Sequence, residues 1–233
     1  MSFGDLEGLS LKSIHQDLFR NIVSLRETQD LYDDLSENPE DWQAAIELEA
    51  THKPFSYTSH QPVIDRPFEE AAFLDAIQFP FDNLGESRFS RGHFGVWYGS
   101  EAMETTIHET VYHWRNDLLA DAGFQDIEGV AIERRVHLVR CHAALIDLSG
   151  MHETWAELVS DNYAPCQALG AQIHQQGHPG LWTRSARNDG NNAAVFTPRV
   201  LSNPRIHCYL TYRIEHGGVT VYRAPEEPLL RLA

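Results

Sequence analysis

Arg88-Phe89-Ser90-Arg91-Gly92-His93-Phe94-Gly95-Val96-Trp97-Tyr98-Gly99-Ser100, continuing from Glu101 to Glu109, divides into a loop, a short apolar strand and a helix. The loop carries two arginines among glycines. Val96-Trp97-Tyr98 is β-branched and aromatic, the composition of a buried strand. Gly99-Ser100 breaks it, and Ser100 is placed to cap the helix that follows. Glu101 and Glu104 fall in the first turn, where the helix dipole favours negative charge. A loop arginine (Arg88), a strand-end tyrosine (Tyr98) and a helix glutamate (Glu109) can therefore converge on one pocket.

A second stretch, residues 177–196, has complementary features: a glycine-containing approach, Ser185, a polar loop through Asn188-Asp189-Gly190-Asn191-Asn192, and the apolar run Ala193-Ala194-Val195-Phe196. Arg-Phe, a glycine-containing loop, an apolar strand ending in Tyr, a Glu eleven residues later, and then Ser, Asn and a strand resemble the two halves of a RES domain. The resemblance covers roughly the last two thirds of the chain, with no counterpart for residues 1 to about 55. It implies an α+β fold with a mixed β-sheet core like that of ADP-ribosyltransferases, flanked by helices. The organisation expected is an acidic helical extension over 1–55, a RES domain over 56–225 and a tail over 226–233.

Composition sets outer bounds. The chain has 233 residues, 42% of them apolar, enough for a sizeable core. No run approaches eighteen apolar residues, and the N-terminus lacks the basic and apolar segments of a signal peptide. Cys141, Cys166 and Cys208 are few, odd in number and widely spaced, which reads as reduced thiols in a cytoplasmic protein. The formal charge is −16, a field that repels nucleic-acid backbones. It is uneven: residues 1–80 hold 16 acids and 5 bases, the remainder 18 acids and 13 bases. Of the 18 basic residues 16 are Arg, and Arg88, Arg91, Arg184 and Arg187 fall inside the two motifs. Such a cluster in an acidic chain suits a small phosphorylated ligand, because the guanidinium fork matches phosphate oxygens. Surface arginine is the plainer reading of any one of them.

Along the chain, Leu11, Ile14, Leu18, Ile22 and Leu25 form an amphipathic stripe that predicts a helix over 10–36. Asn38-Pro39 restarts a second helix with Trp42, Ala45, Ile46 and Leu48 inward. Residues 51–67 read as a proline-containing linker with one strand near Val63-Ile64, and 68–77 as a short helix. The helix over 101–120 has an apolar stripe at Met103, Ile107, Val111, Trp114 and Leu118. Glu109 lies on the opposite face with Ala102, Thr105, Tyr112 and Asn116, a face open either to solvent or to a polar cleft. Strands are predicted at 130–140 and 143–148, helices near 151–159 and over 163–176, the latter closed by Gly177. Strands follow at 181–182 and 193–196, with a final hairpin of 206–214 and 219–222 across His216-Gly217-Gly218. Strands cluster late, which favours α+β over a doubly wound sheet.

Other chemistries fit poorly. His108 and His113 flank a sequence like the zinc-protease helix, but ligands five residues apart sit about 140° apart around a helix and cannot share an ion. No metal is expected. Neither a GxxxxGK loop nor a GxGxxG after a strand is present, and Ser185 lacks the Gly-x-Ser-x-Gly setting of a hydrolase.

What the resemblance implies is an enzyme that consumes NAD+ as substrate, with no prosthetic group, by hydrolysis or phosphorolysis. It further implies the toxin of a toxin–antitoxin pair, with an antitoxin protein as partner and no membrane; a homodimer is compatible. Glu109 would stabilise the cation-like ribose and accept from a ribose hydroxyl. Arg88 would hold the pyrophosphate or the ribose. Tyr98 would stack on nicotinamide or adenine, though a core aromatic at a strand end looks the same. Ser185 would bond the ligand or orient Glu109, and Asn192 would fix its loop or touch the ligand; both also suit an ordinary turn. Arg91 and Arg187 are further phosphate contacts. Two other functions stay open: an ADP-ribosyltransferase acting on a macromolecule or nucleotide, and a non-catalytic module whose acidic helices bind a basic partner.

Overall fold

The computed structural model describes residues 8–24, 74–224 and 227–232. Among them the fold is α+β, built on one mixed sheet of eight strands. The strands are β1 (Leu11–Val23), β4 (Trp97–Ser100), β5 (Ala131–Asp147), β6 (Gly180–Arg184), β7 (Asn191–Val195), β8 (Leu201–Glu215), β9 (Gly218–Ala224) and β10 (Glu227–Leu232). A separate two-stranded ribbon joins β2 (Glu86–Ser87) to β3 (Ser90–Arg91). Two longer helices matter for the site: α1 (Met103–His113) and α2 (Ala164–Gln175).

The order β1-β4-β7-β6-β5-β8-β9-β10 carries an additional pairing between β1 and β5. Strand β1 runs antiparallel to β5 from Leu11↔Ile146 to Val23↔Arg134, and touches β4 at Phe19↔Ser100. The path β1–β4–β7–β6–β5 and back to β1 therefore closes a ring. Long β5 makes this possible: it pairs with β8 over most of its length and with β6 only at Ile146 and Asp147. The two strands expected at 130–140 and 143–148 are this single strand.

The helix expected over 10–36 is corrected by β1. The apolar positions Ile14, Leu18 and Ile22 are spaced by four, an even number, so they share a face of a strand as well as of a helix. Ile14 and Leu18 are buried at 2% and 0% exposure, whereas Leu11, which fits only the helical stripe, is 57% exposed. Pairing with β5 supplies the backbone partners that decide for strand. The expected helical extension over 1–55 thus fails for 11–23. Its continuation to residue 36, the helix after Asn38-Pro39 and the strand near Val63-Ile64 lie outside the described residues. Within the stretch expected as a tail, Glu227–Leu232 form β10 on the edge beside β9.

Three apolar clusters fill the fold. The first packs Ile14 and Leu18 of β1 with Trp97, Val139, Leu145, Trp182 and Val195, and Trp97 Nε1 donates to Ala76 O at 2.7 Å. The second seats α2 through Cys166, Leu169 and Ile173 on Phe89, Leu181 and Ala194. The third seats α1 through Ile107 and Val111 on Val136, Leu210, Tyr212 and Val221. Helix α1 continues as a π-helical turn over Trp114–Leu119. Its extra residue rotates the inward face by one position, so Leu119 is buried and Leu118, predicted inward, is 59% exposed. The expected helix near 151–159 is two short 3₁₀ turns, Met151–Glu153 and Ala156–Val159. The predicted final hairpin is present; its turn is His216-Gly217, with φ of 52° and 74°, the left-handed pair that a tight two-residue turn needs.

The strand assignment of β1 has a direct consequence. Leu18→Ala should cost about 2–5 kcal/mol, as truncation of a fully buried Leu does, whereas Leu11→Ala should stay within about 0.5 kcal/mol. Denaturant unfolding of the two variants measures this, and equal effects would contradict the strand.

Candidate functional site

The site forms where the N-terminal half of α1 meets the loop between β6 and β7. Residues Tyr98↔Ala194 and Ser100↔Asn192 are paired across β4 and β7. Because α1 starts just after β4, this register fixes where Asn192 stands relative to the helix. The 185–191 loop is then stapled to the helix start. Glu101 N donates to Asn191 O at 3.1 Å, Asn191 N and Nδ2 donate to Glu101 Oε1, and Asn188 Nδ2 donates to Thr105 Oγ1 at 3.2 Å. Gly190 lies so close to Thr105 that a Cβ there would overlap the threonine hydroxyl, so only glycine lets the loop sit flush on α1.

The outcome is a clamp on Glu109. Ser185 Oγ donates to Glu109 Oε1 at 2.6 Å and Asn192 Nδ2 donates to the same oxygen at 2.8 Å. Both bonds use Oε1, which directs Oε2 to other partners. The Ser185 hydroxyl is fully engaged: it is 2% exposed and also accepts from Arg187 N at 3.0 Å and Asn188 N at 3.3 Å. Its geometry is that of an orienting group rather than a nucleophile. Ser100, predicted to cap the helix, does something else. The N-cap position is Ala102, without a side-chain bond, and Ser100 Oγ donates to Asn192 Oδ1 at 2.5 Å. That bond turns the amide of Asn192 so that its NH₂ faces Glu109.

Arg187 closes one side. Its Nη2 donates to Asp161 Oδ1 at 2.5 Å, and its guanidinium lies 3.2 Å from the centre of the Tyr112 ring. Burial works against the charge of Arg187. Asp161, Tyr112 and Glu109 outweigh it and hold the pKa above the usual arginine value. The hydrogen bond from Arg187 draws the Asp161 carboxyl below its ordinary range. Tyr112 and Arg187, with His108, Val111, Arg115, Asn116 and Leu232, line a cleft of about 250 Å³ along the outer face of α1. Of the face shared by Glu109, Tyr112 and Asn116, the last two line this cleft, while Glu109 is covered by the 185–192 loop through Ser185 and Asn192.

Arg88 sits in the turn between β2 and β3. Its Nη1 donates to Ser160 O at 2.5 Å and weakly to Leu158 O at 3.4 Å, and its guanidinium stacks 4.5 Å from the Tyr163 ring centre. Arg88 is close enough to Asp161 to lower its pKa, as Arg187 is on the other side. The turn itself rests on α2, where Gly170 is required because a Cβ would overlap Phe89 O. Tyr98 braces the same turn: its hydroxyl donates to Ser87 Oγ at 3.0 Å and accepts from Phe89 N at 3.3 Å. The aromatic faces that stack on guanidinium groups here are those of Tyr112 and Tyr163. Arg91, also predicted, is exposed and donates to Gln167 Oε1 on α2 at 3.3 Å, while Arg184 bonds His152 and Asp189.

Glu109, Ser185 and Asn192 therefore meet directly. Arg187 acts on Glu109 and joins the 158–163 segment, which also holds Arg88, whose turn Tyr98 braces. Sequence reasoning missed Asp161, Tyr163 and the role of Ser100. It also missed Arg20 of β1, which donates through Nη1 to Tyr98 O at 2.9 Å and reinforces the sparse contact of β1 with β4. No group of three or more His, Cys, Asp or Glu among the described residues could hold a metal ion. No helix of the described residues is long and apolar enough to cross a membrane.

Burial pushes the Tyr98 phenol up to about 12, above its usual value of 10.0, while its bonds to Ser87 and Phe89 pull it the other way. A raised folded-state pKa gives stability that is complete below pH 10 and lost as the pH climbs through 12. The stability advantage of the native chain over Tyr98→Phe should accordingly shrink across that window. Urea titrations at a series of pH values test it; a pH-independent difference would show that the phenol is not the group responsible.

The family model described as RES domain matches residues 66–215 of the chain. No curated protein matches the sequence. Among solved structures, the M. tuberculosis MbcT-MbcA toxin-antitoxin complex is similar over 88% of this chain and 88% of that chain, with 10% identity and a TM-score of 0.45.

Proposed function

The chain belongs to the RES domain family, and on that premise we propose that it degrades NAD+ by cleaving the bond between nicotinamide and ribose. The observation that carries this reading is the clamp on Glu109. Loss of nicotinamide leaves a cation-like sugar, and a carboxylate held rigidly beside it lowers the barrier without reorganising. With Oε1 fixed by Ser185 and Asn192, Oε2 is the oxygen that would face the developing charge or accept from a ribose hydroxyl. The guanidinium groups of Arg187 and Arg88 would take the pyrophosphate, in keeping with their fork geometry. In this reading Ser185 and Asn192 orient the carboxylate, and Tyr98 holds Arg88 in place. The acceptor is water or inorganic phosphate. Family membership supports a further proposal, that the chain is the toxin of a toxin–antitoxin pair acting in the cytoplasm and silenced by an antitoxin that occupies the cleft.

Purified protein incubated with NAD+ should release nicotinamide without any added acceptor. Release only on adding cell lysate would favour transfer of ADP-ribose to a target, and no release under either condition would remove the proposal. Adding phosphate and finding a phosphorylated ADP-ribose separates phosphorolysis from hydrolysis.

Glu109→Gln keeps an acceptor at Oε1, so the clamp survives and only the charge is lost. Turnover should fall on the order of 10²–10³-fold, as for loss of one preorganised electrostatic group, with thermal stability retained. Arg88→Ala should act chiefly on KM, raising it about tenfold or more, the scale of a hydrogen bond to a charged group. If either variant keeps the wild-type constants, that residue neither stabilises the sugar cation nor binds the substrate.

A further inference from the structure

The proposed site has a feature that its chemistry does not require. Both arginines suited to a pyrophosphate are already engaged by one short segment, 158–163. Arg88 is held by the backbone carbonyls of Ser160 and Leu158, and Arg187 by the carboxylate of Asp161. Tyr112, the ring on which that cation is stacked, also helps to draw the Asp161 carboxyl below its ordinary range. The two partners differ in burial: the Arg187 side chain is 13% exposed and that of Asp161 68%. The anion thus approaches the guanidinium from the solvent side, the side from which a ligand would arrive.

We propose that Asp161 is a placeholder for a substrate phosphate, an internal anion that a pyrophosphate displaces from Arg187 on binding. The proposal rests on the NAD+ reading for the identity of the substrate, but its physical content is separate. Three observations support it. Arg187 Nη2 donates a single bond to Asp161 Oδ1, and Arg187 Nε is buried with no hydrogen-bond partner. One arm of the fork is therefore unused by the carboxylate and would be matched by a second ligand oxygen. Next, an ion pair with one exposed partner contributes little net stability, so its exchange for a more highly charged anion is feasible. Finally, Arg88 is held by the carbonyl of Ser160, the residue next to Asp161, and it adds to the pull of Arg187 on that carboxyl. Asp161 in this view determines substrate affinity and takes no part in bond cleavage.

A purely structural role for Asp161, aiming Arg187 at the ligand, predicts the opposite sign, and this makes the test decisive. Asp161→Asn keeps the shape and removes the charge. Isothermal titration with inorganic pyrophosphate should show tighter binding by the variant, on the order of fivefold. KM for NAD+ should fall by a similar factor with kcat unchanged. In an Arg187→Gln background most of this gain should disappear, leaving only what Asp161 takes from Arg88. Weaker or unchanged pyrophosphate binding by Asp161→Asn would overturn the placeholder, as would an effect of undiminished size without Arg187. Tighter pyrophosphate binding in a protein that never cleaves NAD+ would leave the placeholder standing and remove the substrate assignment. Cleavage of NAD+ with no gain in pyrophosphate affinity would do the reverse.

Discussion

Oε1 of Glu109 accepts from two donors that lie 76 and 83 residues away in sequence, and the arrangement around it exists to bring those three side chains to one point. No local propensity could do this. The pairing of Ser100 with Asn192 in adjacent strands does most of it, because α1 leaves β4 directly afterwards and carries Glu109 with it. A slip of one residue in that register would turn Asn192 to the opposite face of the sheet. The loop before Asn192 must also lie flush on the helix, which is why Gly190 stands against Thr105. Each bond to the carboxylate is worth about 1.5–3 kcal/mol by the usual scale for charged partners. That is enough to fix one rotamer of a half-buried glutamate, and far too little to organise the strands. The sheet positions the clamp, and the clamp selects the rotamer.

The legible part of this site was the part written in adjacent residues. Arg88, Tyr98 and Glu109 are set out by a loop, a strand and a helix in sequence, and the helical wheel put Tyr112 and Thr105 on the face of Glu109. The structure uses that face, with Thr105 against the loop and Tyr112 under Arg187. Two errors have a common origin in periodicity. A spacing of four satisfies both helix and strand, so Ile14, Leu18 and Ile22 could not discriminate; only the exposure of Leu11 and the ladder with β5 do. A π-helical turn inserts one residue into the helical count, which moved the buried position from Leu118 to Leu119.

What could not be read was chosen by distant neighbours. Ser100 has the right type and place for a helix cap, yet its hydroxyl is drawn to Asn192 across the sheet, because there it fixes an amide that would otherwise turn freely. Asp161 sits between two predicted helices and Tyr163 at the start of the second, and their importance comes only from what the fold lays against them: the side chains of Arg187 and Arg88. An aspartate in a polar turn carries no sequence mark of its partner.

The same geometry resolves an electrostatic tension. A chain with a formal charge of −16 is a poor host for anions at long range. Salt screens that field over about 8 Å at physiological ionic strength, so a small ligand in a cleft experiences its nearest charges and little else. A long polyanion lying across the surface would meet the whole acidic field. Two guanidinium groups of the site are stacked on tyrosine faces, Arg187 on Tyr112 in the cleft and Arg88 on Tyr163. Stacking uses the flat face of the group and leaves its edge donors directed outward. A lysine ammonium has no such face and could not be seated on an aromatic ring in this way while presenting a planar fork of donors. The preference for Arg over Lys, 16 of 18 basic residues, is therefore consistent with an acidic protein that seats positive charge on aromatic faces as well as on oxygen partners.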